Sequence, residues 1–350
     1  MRTITHAGRA WHFSHALGQD SVTRGLRYPC SVAFAGDGAI WVLSRGMVVR
    51  PLAKDITVAH QPKIGKWSVD DGVRIGDFAR NEFTWPTALA SDSDGNLYCC
   101  DEYENFIAVF GPDGPYYELP KYDPSGEALR KWGEKGPLPG QLDGPSGMAF
   151  DLNDDLYVVD SGNHRVQKFT KDGRHLDAWG SQGSGDGQFE SPWGIALDAL
   201  GDVYVADWGN SRVQRFSPDG QYITSYGDSS SDDDPLYHPS DVAVDGDGDV
   251  YVADWGNKRV QIFEPDGDVI GAIHGDATEF FGPVKEGIEA SEIYAKAYSR
   301  AEDLTQMGRF DRPIGVEVDA QDRLLVVDSR RGRVQVYAKD TAYENVRLNV

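Results

Sequence analysis

Residues 191–220 read SPWGIALDALGDVYVADWGNSRVQRFSPDG, and residues 238–267 return nearly the same string, HPSDVAVDGDGDVYVADWGNKRVQIFEPDG. Asp207 and Asp254 stand 47 residues apart, as do Pro192 and Pro239. Self-similarity at that period marks a repeat architecture, in which each unit packs on its neighbours. Six segments fit one template: Pro, a short apolar strand, an Asp/Gly turn, a second strand, a polar turn and a third strand. They begin at Pro29, Pro86, Pro145, Pro192, Pro239 and Pro313.

Alternation in residues 203–206 (VYVA) and 212–216 (RVQRF) sends every second side chain to one face of a sheet. Turns such as DGDGD and PDG supply the positive φ and the side-chain-to-backbone bonding that short hairpins need. A fourth strand follows each PDG, as in GRHLDAWG (173–180) and GQYITSYG (220–227). Each copy is therefore a four-stranded antiparallel meander of propeller-blade size. The sixth copy has a weak fourth strand, while AWHFSHALG (10–18) looks like the strand-plus-Gly ending of the other blades. Docking that N-terminal strand on the last blade would close the ring and cover an exposed edge. The expectation is an all-β, six-bladed β-propeller spanning residues 1–350 as one domain.

The recurring Pro-x-Gly-(Ile/Met)-Ala, Leu/Val-Tyr-Val-x-Asp, Gly-Asn-x-Arg-Val-Gln-x-Phe and Pro-Asp-Gly elements resemble NHL repeats, as does the blade-joining WGSQGSGDGQFESPWGIA (179–196). The likeness is closest in copies three to five. It implies a six-bladed propeller, in agreement with the strand count.

Composition narrows the function. The 350 residues include 40 Gly and 18 Pro, with no linker dividing two regimes, which suits many short strands and tight turns. A formal net charge of −22 repels phosphate backbones and argues against nucleic acid as a partner. The three cysteines, Cys30 and the vicinal Cys99–Cys100, form no even framework and suit a reducing compartment. No apolar leader or transmembrane-length run is present, so a cytoplasmic protein without membrane contact is expected.

In an up-and-down blade, the entry to strand one and the turn between strands two and three share a face. The long insertions, roughly 46–84, 115–143 and 268–311, read as blade entries, leaving minimal Asp-Gly turns opposite. Recognition is expected at the loop-rich mouth of the central channel. Trp193, Trp208, Trp255, Trp85 and Tyr28 would make that mouth aromatic and able to bind rings, sugars or cations. Two residues after each Pro the chain is small or neutral except at Asp241, with His238 three residues earlier and Arg312 in the next blade. These three are candidates for acid/base or anion-binding work, against a purely rim-stabilising role.

Asp160, Asp207, Asp254 and Asp328, with Arg165, Arg212, Arg259 and Arg333, repeat in every clear copy and are assigned to blade structure. Asp245, Asp247 and Asp249 alternate but lack the spacing of a calcium loop. No single-loop metal motif appears. Among related propellers, the zinc-holding histidines of the peptidyl-hydroxyglycine amidating lyase and the metal-binding Glu of gluconolactonase-like enzymes find no matching set. Residues 284–306 place Tyr294, Ala297, Tyr298, Ala301 and Leu304 at helical spacing. They predict a helical insertion at about 276–311, as a lid, a homo-oligomer contact or a surface excursion.

The first functional reading is a binding scaffold for a small molecule or protein at the loop-rich face. The second is a metal-assisted lyase or hydrolase, with a divalent metal as cofactor, His238 and Asp241 as base or ligands, and Arg312 holding an anionic substrate.

Overall fold

Each copy of the template folds as a sheet whose first strand lies innermost. The computed structural model describes residues 4–6, 8–18, 26–46, 62–79, 82–112, 128–227, 235–277, 290–291 and 308–343. Blade one comprises β3 (Pro29–Phe34), β4 (Ala39–Ser44), β5 (Lys63–Ser68) and β6 (Arg74–Phe78). Blade two comprises β7 (Pro86–Ser91), β8 (Leu97–Asp101), β9 (Phe106–Phe110) and β10 (Arg130–Trp132). Blade three comprises β11 (Pro145–Phe150), β12 (Asp155–Asp160), β13 (Arg165–Thr170) and β14 (His175–Trp179). Blade four comprises β15 (Ile195–Leu197), β16 (Val203–Asp207), β17 (Arg212–Phe216) and β18 (Tyr222–Tyr226). Blade five comprises β19 (Pro239–Val244), β20 (Val250–Asp254), β21 (Arg259–Phe263) and β22 (Val269–Ile273).

Blade six joins the two ends of the chain. Its inner strands are β23 (Pro313–Val318), β24 (Arg323–Asp328) and β25 (Arg333–Asp340). On β25 lies β2 (Arg9–Leu17), antiparallel from Ala10 opposite Asp340 to Leu17 opposite Val334, and β1 (Ile4–His6) adds an outer hairpin. The first strands touch in a closed circuit, β3 to β7, β11, β15, β19, β23 and back to β3.

The two-residue alternation serves two interfaces at once. In VYVAD, Val203 and Val205 pack with Tyr157, Val159 and Phe189 toward blade three. Tyr204 and Ala206 pack with Val242, Val250, Val252 and Phe263 toward blade five. Every second-strand residue is thus in a core, at about 1.5–3 kcal/mol for each large side chain buried. That is why the strand motif is apolar on both faces rather than half polar.

The loops differ from the sequence expectation in one respect. The connection from Phe110 to Arg130 joins strands three and four of blade two, so it leaves from the face opposite the blade entries. Within the stretch read as a blade-entry insertion, 115–143, the described residues 130–132 form the fourth strand of blade two and 133–143 lead into blade three. Likewise, residues 46–84 contain β5 and β6, the third and fourth strands of blade one. The helical insertion expected at about 276–311 falls mainly on 278–289 and 292–307, outside the described residues. Over the described residues, the regular elements are strands and short 3-10 turns. None of the described helices is long and apolar enough to cross a membrane.

Candidate functional site

The repeated Asp–Arg pairs fasten each blade to the loop that enters it. Asp207 accepts hydrogen bonds from Glu190 N at 2.8 Å, Asn210 Nδ2 at 2.8 Å and Arg212 Nε at 3.0 Å. Arg212 also donates to the Gly185 and Gln188 carbonyls. Asp160 with Arg165, Asp254 with Arg259 and Asp328 with Arg333 repeat the arrangement. Burial holds these four carboxyls above their ordinary value, and the donors around them oppose it. Four equivalent copies, each fully paired, are scaffold chemistry.

Above this scaffold the loop-rich mouth carries a stacked array. The 3-10 turn Trp208–Asn210 follows Asp207 and sets the indole on the rim. Trp208 lies 5.5 Å from Trp193 at 30° and 4.1 Å from the His238 ring at 16°. Tyr237 covers His238 at 4.2 Å, and Trp255 lies 6.4 Å from both Trp208 and His238. The Arg312 guanidinium sits 5.3 Å over Trp255. Across the mouth, Arg45 sits 5.1 Å over Trp85, which is 47% exposed, and Tyr28 is also exposed.

His238 owes its place to its backbone. It precedes Pro239 and adopts φ 55°, as Tyr28 and Ser191 do at φ 51° before their prolines. Its Nδ1 lies 3.0 Å from the Trp208 carbonyl. Among the described residues, no hydrogen bond or ion pair joins His238, Asp241 and Arg312: the His belongs to the stack, the Arg to Trp255, and the Asp to the channel.

Within the channel, the residue after the Pro ties one blade to the next in four of the six copies. Thr87 Oγ1 donates to the Pro145 carbonyl at 2.8 Å, Ser146 Oγ to Pro192 O at 3.2 Å, Ser240 Oγ to Pro313 O at 3.3 Å, and Cys30 Sγ to Pro86 O at 3.7 Å. Trp193 and Ile314 fill this position in the other two copies. Burial pushes the Cys30 thiol up to about 11, which makes it a packing residue rather than a nucleophile.

Two carboxyls interrupt this lining. Asp241 Oδ2 accepts the Val316 N–H at 3.0 Å, the bond that Ser31 Oγ makes with Leu89 N at the matching place. Gly194 makes room for it: a Cβ there would stand 2.2 Å from Asp241 Oδ1. Four residues after each Pro stand Ala33, Ala90, Ala149, Ala196, Ala243 and, breaking the series, Glu317. Asp241 and Glu317 both line a cavity of about 50 Å³ at the loop-rich end of the channel, beside Arg45 and Glu102. A narrow channel admits water to these groups while enclosing them in protein. Burial raises Asp241 to about 7, against the pull of its two backbone donors. Burial first, and then the charge of Asp241, raises Glu317 well above the usual carboxylate range.

A folded-state value above the unfolded one means that native Asp241 keeps a proton which the unfolded chain releases. Its stabilising contribution is complete below about pH 4 and is lost as pH rises toward 7. Asp241→Asn keeps the acceptor oxygen and removes the titration. The variant should come within about 1 kcal/mol of the parent near pH 4.5 and exceed it at pH 8, by on the order of a few kcal/mol at about 1.4 kcal/mol per unit. Thermal melts at both pH values check this. An equal gap at the two would mean that the carboxyl titrates normally.

The Asp245, Asp247 and Asp249 cluster is filled by a side chain. Lys339 Nζ lies 2.5, 2.8 and 2.9 Å from the three carboxylates in turn, and Arg9 pairs with Asp249.

Six four-stranded blades around a channel define a β-propeller. The NHL-repeat family model matches residues 142–169, 189–216, 236–263 and 310–337, each covering the inner three strands of one of the last four blades. The chain is an NHL-repeat propeller. Among curated proteins, no sequence matches it. Among solved structures it resembles a protein of unknown function from Bacteroides thetaiotaomicron, with TM-score 0.61, 17% identity, and 95% of this chain and 76% of that chain covered. It also resembles a streptogramin B lyase, with TM-score 0.53, 13% identity and coverages of 94% and 98%. A chain from a nidogen/laminin complex gives TM-score 0.52, 16% identity and coverages of 78% and 92%. At these identities the likeness concerns the fold.

Proposed function

We propose that this propeller is a binding module that recognises a small molecule or a protein partner through its loop-rich face. The stacked array Trp193–Trp208–His238–Trp255 capped by Arg312 carries the reading. Stacked rings and a guanidinium give a rigid platform for aromatic, sugar or cationic groups at low entropic cost. The nidogen/laminin neighbour supports protein recognition as one use of such a scaffold. Ligand-observed NMR with aromatic, sugar and cationic fragments tests it. Fragments that bind the parent should lose at least about tenfold affinity in Trp208→Ala/His238→Ala, as truncation of interface anchors does. Fragments held equally by both would remove this face from the function.

A second reading, a lyase or hydrolase at the channel mouth, rests on Asp241. A carboxyl at about 7 can take or give a proton near neutrality. The streptogramin B lyase neighbour lends it support through the shared fold. In it His238 and Asp241 would act as base or as ligands of a divalent metal, and Arg312 would hold an anionic substrate. Stoichiometric metal in purified protein, lost in His238→Ala, would favour this reading over simple binding.

A further inference from the structure

The channel also holds a second cavity, at the end away from the blade entries. Its volume is about 300 Å³, and the side chains lining it are apolar apart from Glu317 and Ser91, while polar atoms make up much of its wall. The rim is formed by the last residues of the inner strands, among them Phe34, Phe150, Leu197, Val244 and Val318. The alanine series four residues after each Pro opens the space, and Glu317 stands in that series where a sixth alanine would fit the pattern. The Ser91 Oγ is buried with no hydrogen-bond partner, and the Glu317 carboxyl, partly open to the channel, makes no hydrogen bond among the described residues; the two belong to different blades on the same cavity. An unmet hydroxyl and an unpaired carboxyl on one cavity are groups that a ligand entering the channel would meet.

We propose that this cavity binds a small primary amine with an apolar body, its nitrogen bonded to Glu317 and its hydrocarbon or aromatic part held by the rim. One carboxyl and one hydroxyl supply too few oxygens for calcium or magnesium. An anion would meet the carboxyl with like charge. A neutral alcohol would gain an ordinary hydrogen bond, whereas an ammonium gains a charge-assisted one of about twice the strength. Phe34 and Phe150 offer ring faces for an aromatic body or for the cation.

Proton balance gives the site a signature. Burial, and then the charge of Asp241, raise the Glu317 carboxyl well above the usual carboxylate range. When an ammonium enters, a carboxyl that still holds its proton gives it to solvent, and the carboxylate pairs with the retained ammonium. Binding therefore releases up to one proton per molecule, and affinity rises with pH until Glu317 ionises unaided.

Benzylamine and benzyl alcohol are probes of nearly equal shape. Calorimetry in two buffers of different ionisation enthalpy should show benzylamine binding at least about tenfold tighter, with up to one proton released. Glu317→Gln keeps the shape and should erase both the preference and the proton release. Ala196→Phe should fill the cavity and abolish binding of either probe. Trp208→Ala removes the aromatic platform proposed for the loop-rich face; the Glu317-dependent amine preference and proton release should persist in it, which separates the two sites. Equal affinity for the two probes, an amine preference that persists in Glu317→Gln, or no saturable binding at all would overturn the proposal.

Discussion

Deleting residues 1–18 is expected to abolish cooperative unfolding of the whole propeller. The deletion removes β2, and with it the ladder that satisfies the outer edge of β25 from Val334 to Asp340. It also takes Trp11 out of the cluster containing Tyr251, Ile273, Phe310 and Tyr337, where it is 1% exposed and its Nε1 donates to Tyr251 Oη at 2.9 Å. Leu17 leaves the cluster between blades six and one. Arg9 leaves its pairs with Asp249 and Glu264 on blade five. Trp11 and Leu17 alone represent about 1.5–3 kcal/mol each of lost burial. Adding an opened ladder and the lost Arg9 ion pairs brings the loss to the scale of a domain's total stability, about 5–15 kcal/mol. Urea titration followed by far-UV circular dichroism and by tryptophan fluorescence should give broad, non-coincident curves. A single sharp transition at the parent's midpoint would show that the ring does not need this strand.

The repeated parts of this architecture were readable because repetition is itself information. The inner strand, the Asp turn, the VYVAD strand and the Arg-Val-Gln-x-Phe strand recur, and each recurrence checks the others. Blade one shows where that fails. Its strands KIGKWS and RIGDF lie beyond residues 47–61 and share no residue pattern with the template, so the chain alone offered nothing to align. The fourth strand of blade two, Arg130–Trp132, is likewise separated from its partner by an insertion, which sent that insertion to the wrong face in the sequence reading.

The site divides in the same way. Asp241 stood out as a departure from the small residues at its position, and Glu317 departs just as clearly from the alanines that stand four residues after the other prolines. His238 shares no hydrogen bond with Asp241 or Arg312 and instead stacks on Trp208, with Trp255 and Arg312 next in the array. Trp208 and Trp255 fill one repeat position, the turn after strand two, in successive copies. The occupant of the DGDGD turn was beyond reach. Lys339 arrives from the far end of the chain because the blades close into a ring.

That lysine carries the second large effect. Its side chain is 1% exposed, and those of Asp245 and Asp249 are 0% exposed, so two carboxylates are held around one ammonium away from water, with the exposed Asp247 as a third partner. Burial opposes the charge on Lys339, but hydrogen bonds to the three carboxylates outweigh it and hold the ammonium above its ordinary value. Tyr251 Oη donates to Asp245 at 2.7 Å, which links the cluster to Trp11 and the closing strand. Lys339→Met keeps the apolar stem and removes the ammonium, leaving the buried Asp245 with no cation and Asp249 with Arg9 alone. Breaking a buried pair in this way costs about 3–5 kcal/mol. Asp247→Asn alters a carboxylate that is 54% exposed and should cost no more than about 1 kcal/mol. The carboxylate oxygens lie within 4.8 Å of one another, so millimolar calcium should restore part of the lost stability in Lys339→Met and leave the parent unchanged. Chemical denaturation of the three proteins, with and without calcium, gives the comparison. Equal midpoints for Lys339→Met and Asp247→Asn would mean that the cluster is wet, and that the ring is held closed by strand pairing and apolar packing alone.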